Sequence, residues 1–563
     1  MVQYESLILK HFKKLGLTPR PGQLEVINEI LEAFYQENYK NVIINSPTGS
    51  GKSVIGLIVS MCAVEHSQNK RAWILMHQNV LMKNYFDLVE NKDEFVRLKG
   101  ASNYSCDVLK SYDYMDATAD SCIFDKLKDI ESPETSICSF CDYKNTRRAM
   151  HNEKFLVSNY SYFLIQMLYA KANNPEYKLH KAAINVFDES HIINETFASH
   201  MAVFVSPKRF QYLLDDLFAA NLYDVQASIS HWQLNWDSIN DSNYKVFLTD
   251  ISKAYLILHA HYDKLAKKHF RTKEFDLYLT NDRLQKKYKD YFCKIDDLFK
   301  YEYDHIFDKS DNNDISIKPI FVKDMIHNIL FAEKNLFMSA TNSPYLLEQQ
   351  LNLPSSETKF INVKSSFPIE NKKVYFLNIA DFNMSNLKEP KIEKEMLSNI
   401  MKVVNLHKER NEKGIIITPS FKMASLIGDT LRKSLSRGQI FEHIQGDPSE
   451  KYIDLFSKSK GFGVLLSPSI WEGISLDDDL SRWQVIVKAP FGSLGDKRVA
   501  YIAKNYPKIY RLETLLKVIQ GIGRSVRSKD DYATSYLLDG HLKKLFDSDM
   551  NVWAEQFETY AKD

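Results

Sequence analysis

Ser46–Ser53 reads SPTGSGKS and lies between an apolar run, Val42–Asn45, and an apolar stretch that opens at Val54. Glycines at 49 and 51 let the backbone curl until successive N–H groups face one anion, and a helix starting behind them adds the positive end of its dipole. That is phosphate-binding chemistry. Thr48, Gly49, Ser50 and Gly51 would form the cradle, Lys52 would sit on the β- and γ-phosphates of ATP, and the Ser53 hydroxyl would hold Mg2+. A glycine-rich turn can be only a turn, but GKS in frame after a strand argues for a nucleotide. The first position of such loops is usually Gly or Ala; here it is Ser46.

Asp188-Glu189-Ser190-His191 follows a second apolar run, Ala183–Phe187. Carboxylates at the C-terminal end of a strand can reach a phosphate loop on the same sheet. Asp188 is expected to hold Mg2+ through water, and Glu189 to orient and deprotonate the attacking water, because hydrolysis needs a base separate from the metal ligand. His191 is expected to report the state of the nucleotide to the rest of the chain. Without the phosphate loop, such a tetrapeptide would read as a solvated turn. Near the C-terminus, Gln520–Arg527 reads QGIGRSVR. Arg524 and Arg527 stand three apart at the end of a helix predicted from about Leu512, so they would share a face. Entering from a second domain, they would neutralise charge developing on the γ-phosphate; in isolation the pair would read as surface charge.

The elements that must carry these residues follow from periodicity. Short apolar runs predict buried strands at Val42–Asn45, Ala72–Met76, Phe155–Val157, Ala183–Phe187 and Leu336–Met338, then at Val374–Leu377, Gly414–Thr418, Val464–Leu466 and Gln484–Val487. Stretches with helical spacing separate most of them, among them Gly22–Tyr35 and Met423–Leu435, and that alternation marks parallel α/β layers. Two such sheets fit 563 residues, a length too great for one core. From about Ser206 to Ile320 the pattern changes to long helices rich in aromatics and charge, which reads as an inserted helical domain. Gly100–Arg148 lacks strand runs and holds four cysteines, so it reads as a small metal-dependent insert between two strands of the first unit.

Composition excludes several classes. Lys and Arg total 73 against 72 Asp and Glu, so no bulk charge draws the chain to a polyanion and any nucleic-acid contact must be local. The longest apolar run, Val54–Val64, falls short of the ~20 residues a spanning helix needs, and Met1–Gly16 does not resemble a secretory signal. A soluble, cytoplasmic protein is expected, without membrane partners. Six cysteines in this length do not suggest a disulfide framework, and the clustering of Cys106, Cys122, Cys138 and Cys141 suggests a bound metal. Thiolates suit zinc and iron–sulfur clusters alike. Cys62 and Cys293 read as incidental thiols, and His259 and His261, two apart, would not share a helix face.

Taken as a set, these segments resemble superfamily 2 helicases, and within them the XPD/DinG family. The narrowing motifs are Leu98–Cys106, which is similar to the family's approach to its first cluster cysteine, and Asn159-Tyr160, similar to the segment after the cluster. Arg20 and Gln23, Ser339-Ala340-Thr341, Trp471-Glu472-Gly473 and the arginine segment add to it; the likeness runs from about Pro19 to Asp539, and the helical segment matches in position only. The resemblance implies two RecA-like parallel-sheet motor domains, with an iron–sulfur insert and a helical arch inserted in the first. Its domain limits would be 1–99, 151–205 and 321–345 for the first motor, 100–150 for the cluster, 206–320 for the arch and 346–563 for the second motor. It also implies ATP and Mg2+ bound by Arg20, Gln23, the phosphate loop, His191 and Gln520. A 4Fe-4S cluster on the four cysteines is implied too.

On that resemblance the chain would act as a monomer. It would move 5′ to 3′ on single-stranded DNA and unwind forked DNA, in a DNA-repair setting and, in a bacterial or phage host, at the nucleoid. An ATP-regulated single-strand-binding switch and an RNA helicase are the alternatives. Two departures bear on this. The family's acidic residue after Trp-Glu-Gly is replaced near Ser475, and His77-Gln78-Asn79 stands where a hydroxyl-rich run is usual. His77, Gln78 and Asn79 remain candidates for phosphate contact, as do Arg147 and Arg148, which read equally as solvated surface.

Overall fold

The structure, a computed structural model, describes residues 4–561 apart from 48–49, 90–93, 107–117, 122–140, 174–181, 301–303, 324–331, 364–367, 384, 470, 472–477, 524, 527–530 and 550–556. In chain order the first strands are β1 (Asn41–Asn45), β2 (Ala72–Met76), β3 (Phe95–Leu98), β4 (Phe155–Asn159) and β5 (Ile184–Asp188). β6 (Val203–Val205), β7 (His305–Lys309) and β8 (Ile315–Pro319) come next, followed by β9 (Lys334–Ser339) and β10 (Thr358–Asn362). Seven of these make one all-parallel sheet in the order β10-β1-β9-β5-β2-β4-β3. A second all-parallel sheet holds β11 (Lys372–Ala380), β12 (Gly414–Ile417), β13 (Ile440–Glu442), β14 (Val464–Ser467), β15 (Trp483–Ile486), β16 (Ala533–Asp539) and β17 (Glu558–Ala561). Its order is β13-β14-β12-β15-β16-β11-β17.

The apolar runs become central strands because helices cover both faces, leaving no position that must be polar. On β2, Ala72, Ile74 and Met76 enter one core and Trp73 and Leu75 the other, as the two-residue period of a strand requires. The first core is closed by four helices, α1 (Glu5–Leu15), α2 (Gln23–Tyr35), α3 (Lys52–His66) and α4 (Asn79–Val89). Ten consecutive residues of α3, Ile55–Val64, are buried, so the helix behind the phosphate loop is clamped on all sides.

Two expectations are corrected. The first motor does not end at residue 345: Thr358–Asn362 pairs along β1 as the edge strand of the first sheet. Only Ile361 of the strand is buried, as suits an edge, and the segment therefore lacks an apolar run. Nor is the 206–320 insert purely helical. Two long helices, Tyr244–Arg271 and Phe275–Lys300, pack together, but β7 and β8 form a hairpin that pairs with β6 in a three-stranded antiparallel sheet. Ile315, Ile317 and Pro319 alternate inward along β8. One continuous core joins the insert to the first sheet, running from Trp73 and Phe187 to Phe247 and Leu258.

The lobes meet at the base of this insert. The Arg498 guanidinium, only 6% exposed, donates to the carbonyls of Pro319 (2.7 Å) and Ile320 (3.0 Å) and to Glu195 Oε2 (2.8 Å). Lys318 reaches Asp496 at 2.6 Å. Ile320, Phe321 and Leu346 pack against Ile502, Ile509, Leu512 and Leu516 of the second lobe. No described helix is long and apolar enough to cross a membrane.

Gly56 lets α3 lie close on the sheet: a Cβ there would stand 2.6 Å from Met338 Cε and 2.9 Å from Val186 Cγ1. Gly56→Ala should lower stability by about 1–3 kcal/mol through overpacking. Urea denaturation reads this as a lower midpoint; an unchanged midpoint would mean that α3 is not seated there.

Candidate functional site

β1, β5 and β9 are adjacent, so their C-terminal ends bring Ser46, Asp188 and Ser339 to one edge of the first sheet. Between β1 and α3 the chain turns through Gly51, whose φ of +79° lies in the left-handed region. A Cβ there would stand 2.2 Å from Gln23 Nε2, so glycine serves both the turn and the close approach. The buried Gln23 amide accepts from the Arg20 N–H (2.8 Å) and donates to the Ser50 carbonyl (3.1 Å). Gln23 therefore braces the loop itself. Ser46, the departure at the first position, does the same from below: its hydroxyl is 2.7 Å from the Ser50 hydroxyl, which also bonds the Pro47 carbonyl. Lys52 Nζ donates to the Ser46 carbonyl at 3.2 Å. Thr48 and Gly49 lie outside the described residues.

Asp188 is buried at the end of β5. Its Oδ1 accepts the Glu189 N–H (3.0 Å), and its Oδ2 accepts from the phenol of Tyr85 (2.8 Å). The Tyr160 phenol donates to its backbone carbonyl. Ser53 lies beside the same Tyr85 phenol, so Ser53 and Asp188 face one site. A hydroxyl and a carboxylate are hard-oxygen donors of the kind Mg2+ takes beside a triphosphate, and the nearby ammonium suits the phosphates, so the residues present fit that ion. Glu189 adopts φ +56° and ψ +47°, a conformation that costs a non-glycine residue about 1–3 kcal/mol and points to a held side chain.

A chain of hydrogen bonds leads from that carboxylate across the lobe boundary. Ser339 Oγ donates to Glu189 Oε2 (3.3 Å) and lies 2.8 Å from His191 Nδ1; the His191 Nε2 is 2.7 Å from the Gln520 amide nitrogen. A neutral ring protonated on Nδ1, donating to Ser339 and accepting from Gln520, satisfies both contacts. The Thr341 N–H donates to Ser339 Oγ (3.1 Å). Gln520 sits in the helix Pro507–Ile522, where the Trp471 ring packs so closely on Gly521 that a Cβ added there would stand 3.2 Å from it.

The helix ends at Ile522; Arg524 and Arg527, like Glu472, Gly473 and Ser475, lie outside the described residues. Of the cysteines, Cys106 and Cys141 are described, while Cys122 and Cys138 are not. Cys106 is buried just after a bridge between Ser105 and Thr118, and Cys141 precedes the helix Asp142–Asn152. Contact between Tyr104 and Tyr143, ring centres 5.5 Å apart, draws those two segments together. The Cys62 thiol is pushed up to about 12 by burial, as befits an inert core thiol. Asp381, Asp539 and His541 also gather. There, however, Asp539 already accepts the N–H groups of Phe382, Ala489 and His541, and Lys544 pairs with Asp381. Asn79, at the start of α4, accepts from Asn159 Nδ2 (2.6 Å) beside the candidate strand contacts His77 and Gln78; Arg147 lies over the Tyr143 ring.

Burial foremost, then the neighbouring Glu189 carboxylate, pushes the Asp188 carboxyl up to about 6, against the opposing pull of Lys52 and Tyr85. An acid raised in this way favours folding fully below its ordinary value of 3.8 and loses that contribution as pH rises through 6. Mg2+ needs the ionised form, so binding must expel a proton below pH 6. The half-saturating Mg2+ concentration for nucleotide binding should therefore fall about tenfold per pH unit up to 6 and level off above 7. Asp188→Asn should abolish that dependence. A flat profile in the parent protein would contradict the assignment.

Two family descriptions match the chain, the type III restriction enzyme res subunit over residues 16–214 and the helicase C-terminal domain over 403–556. The fold is similar to that of a solved XPD helicase, with a TM-score of 0.61 at 14% identity over 97% of this chain and 100% of that one. It is also similar to the S. tokodaii Xpd4 structure, with a TM-score of 0.58 at 15% identity over 96% and 100%. No curated relative matches it in sequence.

Proposed function

We propose that the chain is an ATP-dependent superfamily 2 helicase of the XPD/DinG kind, which translocates on single-stranded DNA, 5′ to 3′, and unwinds forked duplexes; the match to the helicase C-terminal domain and the XPD-like fold support this reading. The observation that carries the mechanism is the His191–Gln520 contact, which joins the lobe holding Lys52 and Asp188 to the lobe holding the arginine segment. In this reading Gly51, Ser50 and their neighbours cradle the phosphates, Lys52 neutralises the β- and γ-oxygens, and Ser53 and Asp188 hold Mg2+. Glu189 takes the proton of the attacking water. Arg524 and Arg527 approach from the second lobe to offset charge on the leaving phosphates. Closure and opening of the lobes then advance the strand along the edge that carries His77, Gln78 and Asn79.

The cysteine insert fits a 4Fe-4S cluster in the same proposal, with Cys106, Cys122, Cys138 and Cys141 as ligands. Bound, the cluster would brace the insert against the strand; thiolate is its ordinary ligand. What supports this is the sequence resemblance, the meeting of the segments that bear Cys106 and Cys141, and the lack of paired zinc-knuckle spacing at Cys106 and Cys122.

Lys52→Ala should leave the fold intact and abolish ATP turnover and strand displacement from forked DNA; turnover near the parent value would remove the phosphate-loop reading. DNA with opposite overhangs reads direction. Stimulation by RNA alone, or DNA-stimulated hydrolysis without displacement, would turn the reading to an RNA helicase or to a binding switch. Cys138→Ser should remove a broad absorption near ~400 nm from anaerobically purified protein. Colourless parent protein carrying zinc would overturn the cluster.

A further inference from the structure

The oxygens assigned to Mg2+ share a neighbour that none of the helicase motifs covers. Tyr85 lies in α4, 1% exposed, with its ring in the apolar core beside Met82 and Val89. Its phenol lies beside Ser53 and donates to Asp188 Oδ2 at 2.8 Å. Because the Glu189 N–H holds the other carboxylate oxygen, Asp188 is fixed at both oxygens and can neither rotate nor tilt without breaking a bond. A tyrosine buried this completely needs a partner for its hydroxyl, and here that partner is the metal-site carboxylate.

We propose that Tyr85 is the positioning residue of the Mg2+ site: its phenol, beside Ser53, fixes the orientation of the Asp188 carboxylate. Tyr85 rides on α4, so that orientation follows the helix. The N-terminal residue of α4, Asn79, is held by Asn159, and the adjacent Tyr160 donates its phenol to the Asp188 carbonyl. Movement of the β2 and β4 ends is thereby carried through α4 and the Tyr85 ring to the Asp188 carboxylate, while Tyr160 holds only its backbone. This rests on the nucleotide-site reading above and names the residue that tunes it; groups that orient metal ligands from behind are typically worth about 10- to 100-fold in metal affinity or activity.

The test uses the full chain and a fluorescent ATP analogue, titrated with Mg2+ from an EDTA baseline. Tyr85→Phe keeps the ring and removes the donor. Nucleotide binding without metal should stay within about twofold of the parent, while the half-saturating Mg2+ rises at least about tenfold. In turnover, kcat should fall with little change in KM for ATP at saturating Mg2+. Tyr85→Gln, which returns an N–H donor, should recover part of the Mg2+ affinity. Tyr160→Phe, which loses only a bond to a backbone carbonyl, should lower the melting temperature and leave the Mg2+ titration unmoved. Superimposable Mg2+ titrations for parent and Tyr85→Phe would overturn the proposal, as would equal losses in Phe and Gln or a parallel loss of metal-free binding. Lys52→Ala separates the two levels: if it too binds Mg2+-nucleotide like the parent, the nucleotide site itself is misassigned.

Discussion

A hydrogen bond between the Gln520 amide and the His191 imidazole is the interaction on which the proposed coupling of the two lobes depends. It is the point where the second lobe touches the acidic motif of the first, and it ends a chain that begins at the Glu189 carboxylate and passes through Ser339. The two middle groups, the Ser339 hydroxyl and the neutral His191 ring, each have one hydrogen to give, so a reversal at one must be answered at the other. The strained backbone of Glu189 belongs to this chain, since its side chain is held by Ser339 from an adjacent strand. Chemistry at the phosphate loop and the relative position of the lobes are thus one mechanical problem.

The rest of the fold makes that bond possible. Parallel order puts the ends of β1, β5 and β9 side by side, which no local sequence feature could do alone. The lobes are then kept in contact by Arg498 on two carbonyls and Glu195, and by an apolar seam from Ile320 to Leu516. The guanidinium is almost fully buried, and its donors are matched by carbonyls and a carboxylate, as a buried charge requires. Because its acceptors lie at the end of β8, the insert is anchored on both lobes at once.

What the sequence revealed, and what it hid, follows from the same physics. Strands buried on both faces write themselves as apolar runs, so Ala72–Met76 and Gly414–Ile417 were readable. Edge strands do not: Thr358–Asn362 and Ile440–Glu442 are half polar, and β7 and β8 were submerged in a segment dominated by two long helices. The phosphate-loop and acidic segments stand out in the sequence because such motifs are local. Gln23 stands out for a nucleotide role, and in the fold its amide also bonds the loop's own backbone. Ser46, a mild departure by motif, proves to be a brace. Tyr85 was invisible, being an ordinary core tyrosine by spacing until the fold laid it against Asp188.

The most direct measurement of the account is a double-mutant cycle on strand-stimulated ATP hydrolysis with His191→Ala, Gln520→Ala and the combined variant. If the lobes communicate through this bond, each single change should cost most of what the pair costs, giving a coupling energy of about 1 kcal/mol or more. Losses that add to within about 0.5 kcal/mol would mean that the two residues act independently, and the proposed link between the lobes would be wrong.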